Sequence, residues 1–169
     1  YDHRRDLLTV VDELHEGGVD VRALVDRLGQ WIVAQGGFRW PELLVFGDAT
    51  GTGRWAGTGQ SCYDILREAL QRLGVPHRFR VPRGNPPVED RVNAMNLAMH
   101  DLTGAVHWKC HTRCRRLIED LGQLRRDRFG EIDGRDRRLT HASDAEGYRV
   151  WYLRPGGRLT GRPGGRFSV

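Results

Sequence analysis

The chain has 169 residues, a formal net charge of +5 and a sequence pI of about 9.6. This length is sufficient for one domain with its own core, and no run of about eighteen apolar residues is present that could cross a membrane. Of the 27 basic residues only Lys109 is a lysine, and guanidinium groups bind phosphate oxygens in a bidentate manner. We therefore expect a soluble cytoplasmic protein with an anionic partner, although a GC-rich genome would produce the same arginine excess.

The hydrophobic pattern predicts alternating strands and helices. Short apolar or β-branched runs predict strands at 7–14, 42–48, 77–81 and 105–108. Apolar residues spaced three and four apart predict helices at 19–34, 61–73, 87–99, 113–124 and from 140 to about 153. Asp20 is expected to cap the first helix and Gly74 to end the second. The predicted class is therefore α/β with a largely parallel sheet.

The strand at 42–48 is expected to be buried on both faces and to position an acid. Its apolar run, Leu43–Phe46, is followed by Gly47 and Asp48. Sites in open α/β sheets are built at the carboxyl ends of strands, which makes Asp48 a candidate metal ligand. A turn-capping role for Asp48 is an equal alternative. Gly47 and Gly51 are expected to let backbone or substrate approach closely.

The last predicted helix opens with His141-Ala142-Ser143-Asp144, and Thr140 is placed to cap it. The i, i+3 spacing puts His141 and Asp144 on one face, where both could reach one metal. Alone the pattern is weak, because an acid near a helix N-terminus is stabilised by the helix dipole. Together with Asp48 it predicts a Mg²⁺ or Mn²⁺ site, and two such ions can clamp the attacking and leaving oxygens of a phosphodiester.

Four separate segments extend this interpretation: VFGDATGTGRWAGTGQSCYDILREAL, VPRGNPPVEDRVNAMN, CRRLIEDL and LTHASDAEGY. In this order they resemble the C-terminal nuclease domain of bacteriophage terminase large subunits, the DNA-packaging motor proteins. The resemblance covers roughly residues 5–153. It implies a ribonuclease-H-like mixed sheet flanked by helices, and a two-metal endonuclease that cuts concatemeric DNA in the host cytoplasm. The partners it implies are double-stranded DNA, the terminase small subunit and the capsid portal.

The resemblance also assigns roles to individual residues. It implies that Asp48 and Asp144 are catalytic metal ligands and that His141 assists them. We further predict DNA contacts at Arg54, Arg91 and Arg113. For Arg91, packing of its helix against the sheet is an open alternative.

The chain departs from the family pattern at its beginning. The family has a further catalytic acid on an opening strand, but Asp12 precedes Asp48 by only 36 positions and is predicted to lie on the third strand. Neither the opening strands nor the GxxxxGK[ST] loop of the ATPase is found. We therefore expect residues 1–153 to be a partial nuclease domain that cuts poorly or not at all on its own, because the first catalytic Asp is missing. The basic Gly/Arg/Pro-rich residues 154–169 are expected to be a disordered tail.

Two other functions stay open at this point. Another ribonuclease-H-like enzyme, of the resolvase or transposase type, would use the same acids. A non-catalytic DNA-binding or capsid-docking module would need neither acid.

Overall fold

The computed structural model of the chain describes residues 2, 4–15, 17, 20–123 and 141–154. The elements in chain order are β1 (Leu8–Val10), α1 (Val21–Ala34), β2 (Leu43–Phe46), α2 (Cys62–Arg72), β3 (His77–Arg80), α3 (Val88–Met99), β4 (Trp108–Cys110), α4 (Arg115–Gln123) and α5 (His141–Leu153). A short 3₁₀ turn, Ala49–Thr52, lies between β2 and α2. The α/β class is confirmed.

The four strands form two separate parallel pairs in the described part of the chain. β1 pairs with β4, with Leu8 opposite Trp108. β2 pairs with β3, with Leu43 opposite His77 and Phe46 opposite Arg80. The parallel pairing agrees with the sequence, whereas a single continuous sheet is not present among these residues. The ribonuclease-H-like arrangement stays a prediction.

The two strand pairs pack against different sets of helices, although α5 contacts both pairs. Leu8 of β1 packs with residues of α3 and α5, and the buried members of this cluster are Leu8, Ala94, Met95, Ala98 and Val150. Leu43 and Val45 of β2 pack against a second cluster that involves α1 and α2, with Ile32, Leu70 and Val75 at its centre. Helices over strand faces are the usual way to bury parallel strands. The two clusters together form the core.

Local signals placed the helix ends well. The Asp20 carboxylate accepts a hydrogen bond from the Ala23 N–H at 2.8 Å and caps α1. Ser61 and Asp64 form a reciprocal capping box at the start of α2. Gly74 follows α2 with φ of 65°, a left-handed conformation that favours glycine.

The strands were predicted less well. The first was expected to reach Leu14 but ends at Val10, because the residues after it bond to helices: Asp12 accepts from the Trp31 indole N–H at 2.8 Å. The fourth strand begins at Trp108 rather than Ala105, because the Asp101 carboxylate accepts the Ala105 N–H at 2.9 Å and holds it in a turn.

The expectation that β2 is covered on both faces is wrong, because no residue of β2 is fully buried and Leu44 is 39% exposed. Beside β2 lies an open cleft of about 520 Å³, lined by the four residues of β2, by Val10 and by residues 12–15. The missing cover on this side explains the exposure of Leu44.

Some predictions fall on residues that the structure does not describe. The cap at Thr140 and residues 155–169 of the basic tail lie outside the described residues. Cys62, Cys110 and Cys114 are free thiols in the described part of the chain. No helix among those residues is both long and apolar enough to span a bilayer.

Candidate functional site

Asp48 lies two residues beyond the end of β2, where its carboxylate starts the 3₁₀ turn. Its Oδ1 accepts hydrogen bonds from the Thr50 hydroxyl at 2.7 Å and from the Gly51 N–H at 3.0 Å. The capping role considered from the sequence is therefore present. The second oxygen, Oδ2, receives no hydrogen bond from the described residues, so capping does not prevent it from binding a further group.

The glycines around Asp48 make room for Tyr63 of α2. The Tyr63 hydroxyl donates to the Asp48 carbonyl oxygen at 2.8 Å. A Cβ on Gly47 would overlap this hydroxyl, and a Cβ on Gly51 would lie 2.7 Å from the Tyr63 ring. Burial raises the pKa of Tyr63 to about 12, and the negative charge of Asp48 adds to the effect. A tyrosine, rather than substrate, therefore occupies the space beside these glycines.

Replacement of Gly47 by alanine is expected to lower the free energy of unfolding by about 1 to 3 kcal/mol, because the new methyl group must displace Tyr63. Urea denaturation would measure the change. Gly57→Ala is the matched control, since a Cβ at Gly57 meets nothing within 4 Å. Equal stability of the two variants would contradict the close packing of Tyr63 against Gly47.

The VPRGNPP segment is tied directly to the turn that follows Asp48. The Asn85 side-chain oxygen accepts a hydrogen bond from the Ala49 N–H at 2.6 Å. Pro86 is buried, and α3 begins shortly after it, at Val88. The second of the four resembling segments thus holds the first in place.

The starts of α4 and α5 are held by carboxylates from other elements. Glu13 accepts the Arg116 and Leu117 N–H groups at 2.8 and 3.0 Å. Asp120 of α4, fully buried, accepts the Ala142 and Ser143 N–H groups at 2.9 and 3.3 Å. Free N–H groups and a positive dipole end make helix N-termini suited to carboxylates. Sequence reasoning missed both residues; the only signal for Asp120 was a charged residue within a family-like segment.

Asp144 on the first turn of α5 is paired with Arg91 of α3. The Arg91 Nη1 lies 2.6 Å from the Asp144 Oδ1, and the two side chains are 8% and 47% exposed. The Arg91 guanidinium carbon lies 4.4 Å from the centre of the Tyr148 ring. The contacts of Arg91 are therefore with α5 rather than with the strands, and its predicted contact with DNA stays a prediction.

Tyr148 links the two acids of the site. Burial raises its pKa, Arg91 acts in the opposite direction, and the charges of Asp48 and Asp144 both raise the pKa further. Both carboxylates therefore act electrostatically on the same buried hydroxyl.

His141, Arg54 and Arg113 lie in other surroundings. His141 is exposed and lines the cleft beside β2 together with Ala142 and Ala145, whereas Asp144 is directed to Arg91. Arg54 is exposed, and its backbone forms an isolated antiparallel bridge with Ser61. The Arg113 side chain is 55% exposed and lies 3.6 Å from Asp12. Their roles in catalysis and DNA binding stay predictions.

The donor chemistry of the site fits a hydrated hard cation. Mg²⁺ is commonly bound by one or two carboxylates and several waters, and Asp48 and Asp144 each have one oxygen that the hydrogen bonds given above do not use. No group of three or more His, Cys, Asp or Glu residues that could hold a metal is present in the described ranges. The two-metal arrangement stays a prediction.

Comparison of the chain with protein-family models, with curated proteins and with solved structures gave no match. The class that the structure defines is a mixed α/β protein with five helices and two small parallel strand pairs in its described residues. The function must therefore be argued from the site itself.

Proposed function

We propose that the chain is the nuclease domain of a terminase large subunit and hydrolyses phosphodiester bonds of concatemeric duplex DNA with Mg²⁺ or Mn²⁺. The observation that carries this proposal is the set of hydrogen bonds that joins the four resembling segments to the turn after Asp48 or to the helix that bears Asp144. Asn85 bonds to the turn after Asp48, and Arg91 bonds to Asp144. Asp120 caps the helix that bears Asp144.

In this proposal the residues divide into ligands and supports. Asp48 and Asp144 would hold the cation through their remaining oxygens, and the bound cation would stabilise charge on the phosphate. Tyr63 and Asn85 fix the backbone around Asp48. Arg91 fixes the orientation of Asp144. His141 assists at the exposed end of α5, and the terminase small subunit and capsid portal are the protein partners implied by the resemblance.

A non-catalytic DNA-binding module is the second candidate. The observation that favours it is the Arg91–Asp144 ion pair. A guanidinium already neutralises this carboxylate, so it competes with a cation for the same group. The two candidates differ in whether the chain binds a divalent ion.

Binding of Mn²⁺, followed by the electron paramagnetic resonance signal of the free ion, separates the candidates. We expect the chain to bind Mn²⁺ in the millimolar range, and Asp48→Asn and Asp144→Asn each to weaken binding about tenfold or more, because each removes a charged oxygen ligand. Asparagine retains the size and the hydrogen-bond acceptor of each side chain. Asp26→Asn, at an exposed acid on α1, is the matched control and should bind as the parent chain does.

Nicking of supercoiled plasmid with Mn²⁺ is the functional readout on the same four proteins. Cutting, although expected to be weak, should disappear in the Asp48 and Asp144 variants and persist in the Asp26 control. The nuclease proposal would be contradicted if all four proteins had the same Mn²⁺ affinity and the same nicking activity. DNA binding without any Mn²⁺ binding would favour the second candidate.

A further inference from the structure

Arg80 on β3 and Arg83 in the loop after it have no acidic ion-pair partner among the described residues, whereas several other arginines do. Arg67, Arg78 and Arg149 form ion pairs with Asp64, Glu42 and Glu146. No acid in the described part of the chain forms an ion pair with Arg80 or Arg83. Their positive charges are therefore available to an external anion.

The strand register places Arg80 next to the end of β2. Arg80 lies opposite Phe46, the last residue of β2, in a parallel pair. Because the carboxyl ends of parallel strands meet at the same edge, the residues that follow Phe46 and Arg80 lie at one edge of the pair. Asp48 follows the first of these strands and Arg83 the second.

Side-chain alternation determines which face of the pair Arg80 occupies. Phe79 faces α2, where its ring meets Tyr63 at 5.6 Å and the Arg67 guanidinium at 4.9 Å. Successive residues of a strand point to opposite faces, so Arg80 faces away from α2. Its cross-strand neighbour Phe46 meets Tyr152 of α5 on that side, at 5.5 Å. Arg80 thus lies on the face that α5 covers, the helix that also bears Asp144.

Arg83 is kept at the same edge by a backbone anchor. It is exposed and lies two residues before Asn85, whose side chain bonds to Ala49 at 2.6 Å. This bond fastens the loop after β3 to the turn after Asp48. Arg80 on the strand and Arg83 on the fastened loop therefore belong to the same edge of the strand pair as Asp48.

We propose that Arg80 and Arg83 form a phosphate-binding rim that holds the backbone of duplex DNA beside Asp48. Guanidinium forks match phosphate oxygens in geometry and charge, and interactions of this kind position a duplex without reading its sequence. The proposal rests on the proposed function for the identity of the polyanion. It adds two residues that the sequence analysis had not singled out as DNA contacts.

The test is DNA binding without a divalent ion, so that cleavage plays no part. The anisotropy of a labelled random-sequence duplex is measured against salt concentration, in EDTA, for the parent chain, Arg80→Gln, Arg83→Gln and the double variant. Arg72→Gln is the matched control: it removes the same charge from an exposed arginine at the far end of α2. Circular dichroism and thermal melting verify that each variant is folded.

Loss of one arginine that contacts the phosphate backbone should reduce the magnitude of the slope of log K against log salt by about 0.9. The slope of the double variant should therefore be smaller by about 1.8. The control should keep the slope of the parent chain. Three results would contradict the phosphate-binding rim. They are an unchanged slope in the double variant, an equal reduction of the slope in the Arg72 control, and no DNA binding by the parent chain. If the slopes change as expected while Mn²⁺ does not bind, the phosphate-binding rim is supported and the nuclease proposal fails.

Discussion

Replacing Asp120 by alanine is expected to lower the free energy of unfolding by about 3 to 5 kcal/mol, the cost of removing one partner of a buried charge pair. The Asp120 side chain is fully buried, and Arg116 lies 3.1 Å from it with 23% of its side chain exposed. The substitution also leaves the Ala142 and Ser143 N–H groups without their acceptor. A lost helix cap adds to the cost.

The neighbouring acid Glu119 provides the control for Asp120. Its side chain is 57% exposed and lies 3.7 Å from Arg116, so Glu119→Ala removes a surface ion pair on the same helix. Such pairs contribute at most about 1 kcal/mol. Urea denaturation of both variants gives the comparison. A cost for Asp120→Ala no greater than that for Glu119→Ala would show that α5 does not depend on this cap.

Helices could be predicted because their signals are local. Asp20, Ser61 and Gly74 act on residues within one turn of their own positions, so a short stretch of sequence contains both the signal and its target. The strands depend on distant partners. The end of β1 at Val10 reflects bonds from residues 12–13 to α1 and α4, which lie far along the chain, and local composition could not show them.

In the candidate site, too, the residues with a local sequence signal could be predicted, and those that depend on distant contacts could not. Asp48 was identifiable because an acid follows an apolar run, and Asp144 because it opens a helix with a histidine. The supports were not identifiable. Tyr63 explains Gly47 only once α2 is folded over the turn. Arg80 is an ordinary strand residue until the register places it opposite Phe46.

Replacing Asp144 and replacing Arg91 should lower the free energy of unfolding by different amounts, although the two residues form one ion pair. Asp144→Ala is expected to destabilise the fold by about 3 kcal/mol, because it leaves the buried Arg91 without a counter-charge. Arg91→Met should cost only about 1 to 2 kcal/mol, mainly through weaker packing and loss of the interaction with the Tyr148 ring. Asp144 is 47% exposed, so water can solvate it when Arg91 is removed.

A double-mutant cycle in urea measures how strongly the two residues are coupled. We expect a coupling energy of about 1 to 3 kcal/mol for Asp144 with Arg91, because touching charges do not contribute independently. The pair of Glu42 with Arg78 is the control, with side chains 33% and 57% exposed and 3.1 Å apart, and its coupling should stay below about 1 kcal/mol. If Arg91→Met proved the more destabilising single change, Arg91 would stabilise α3 and α5 mainly by packing.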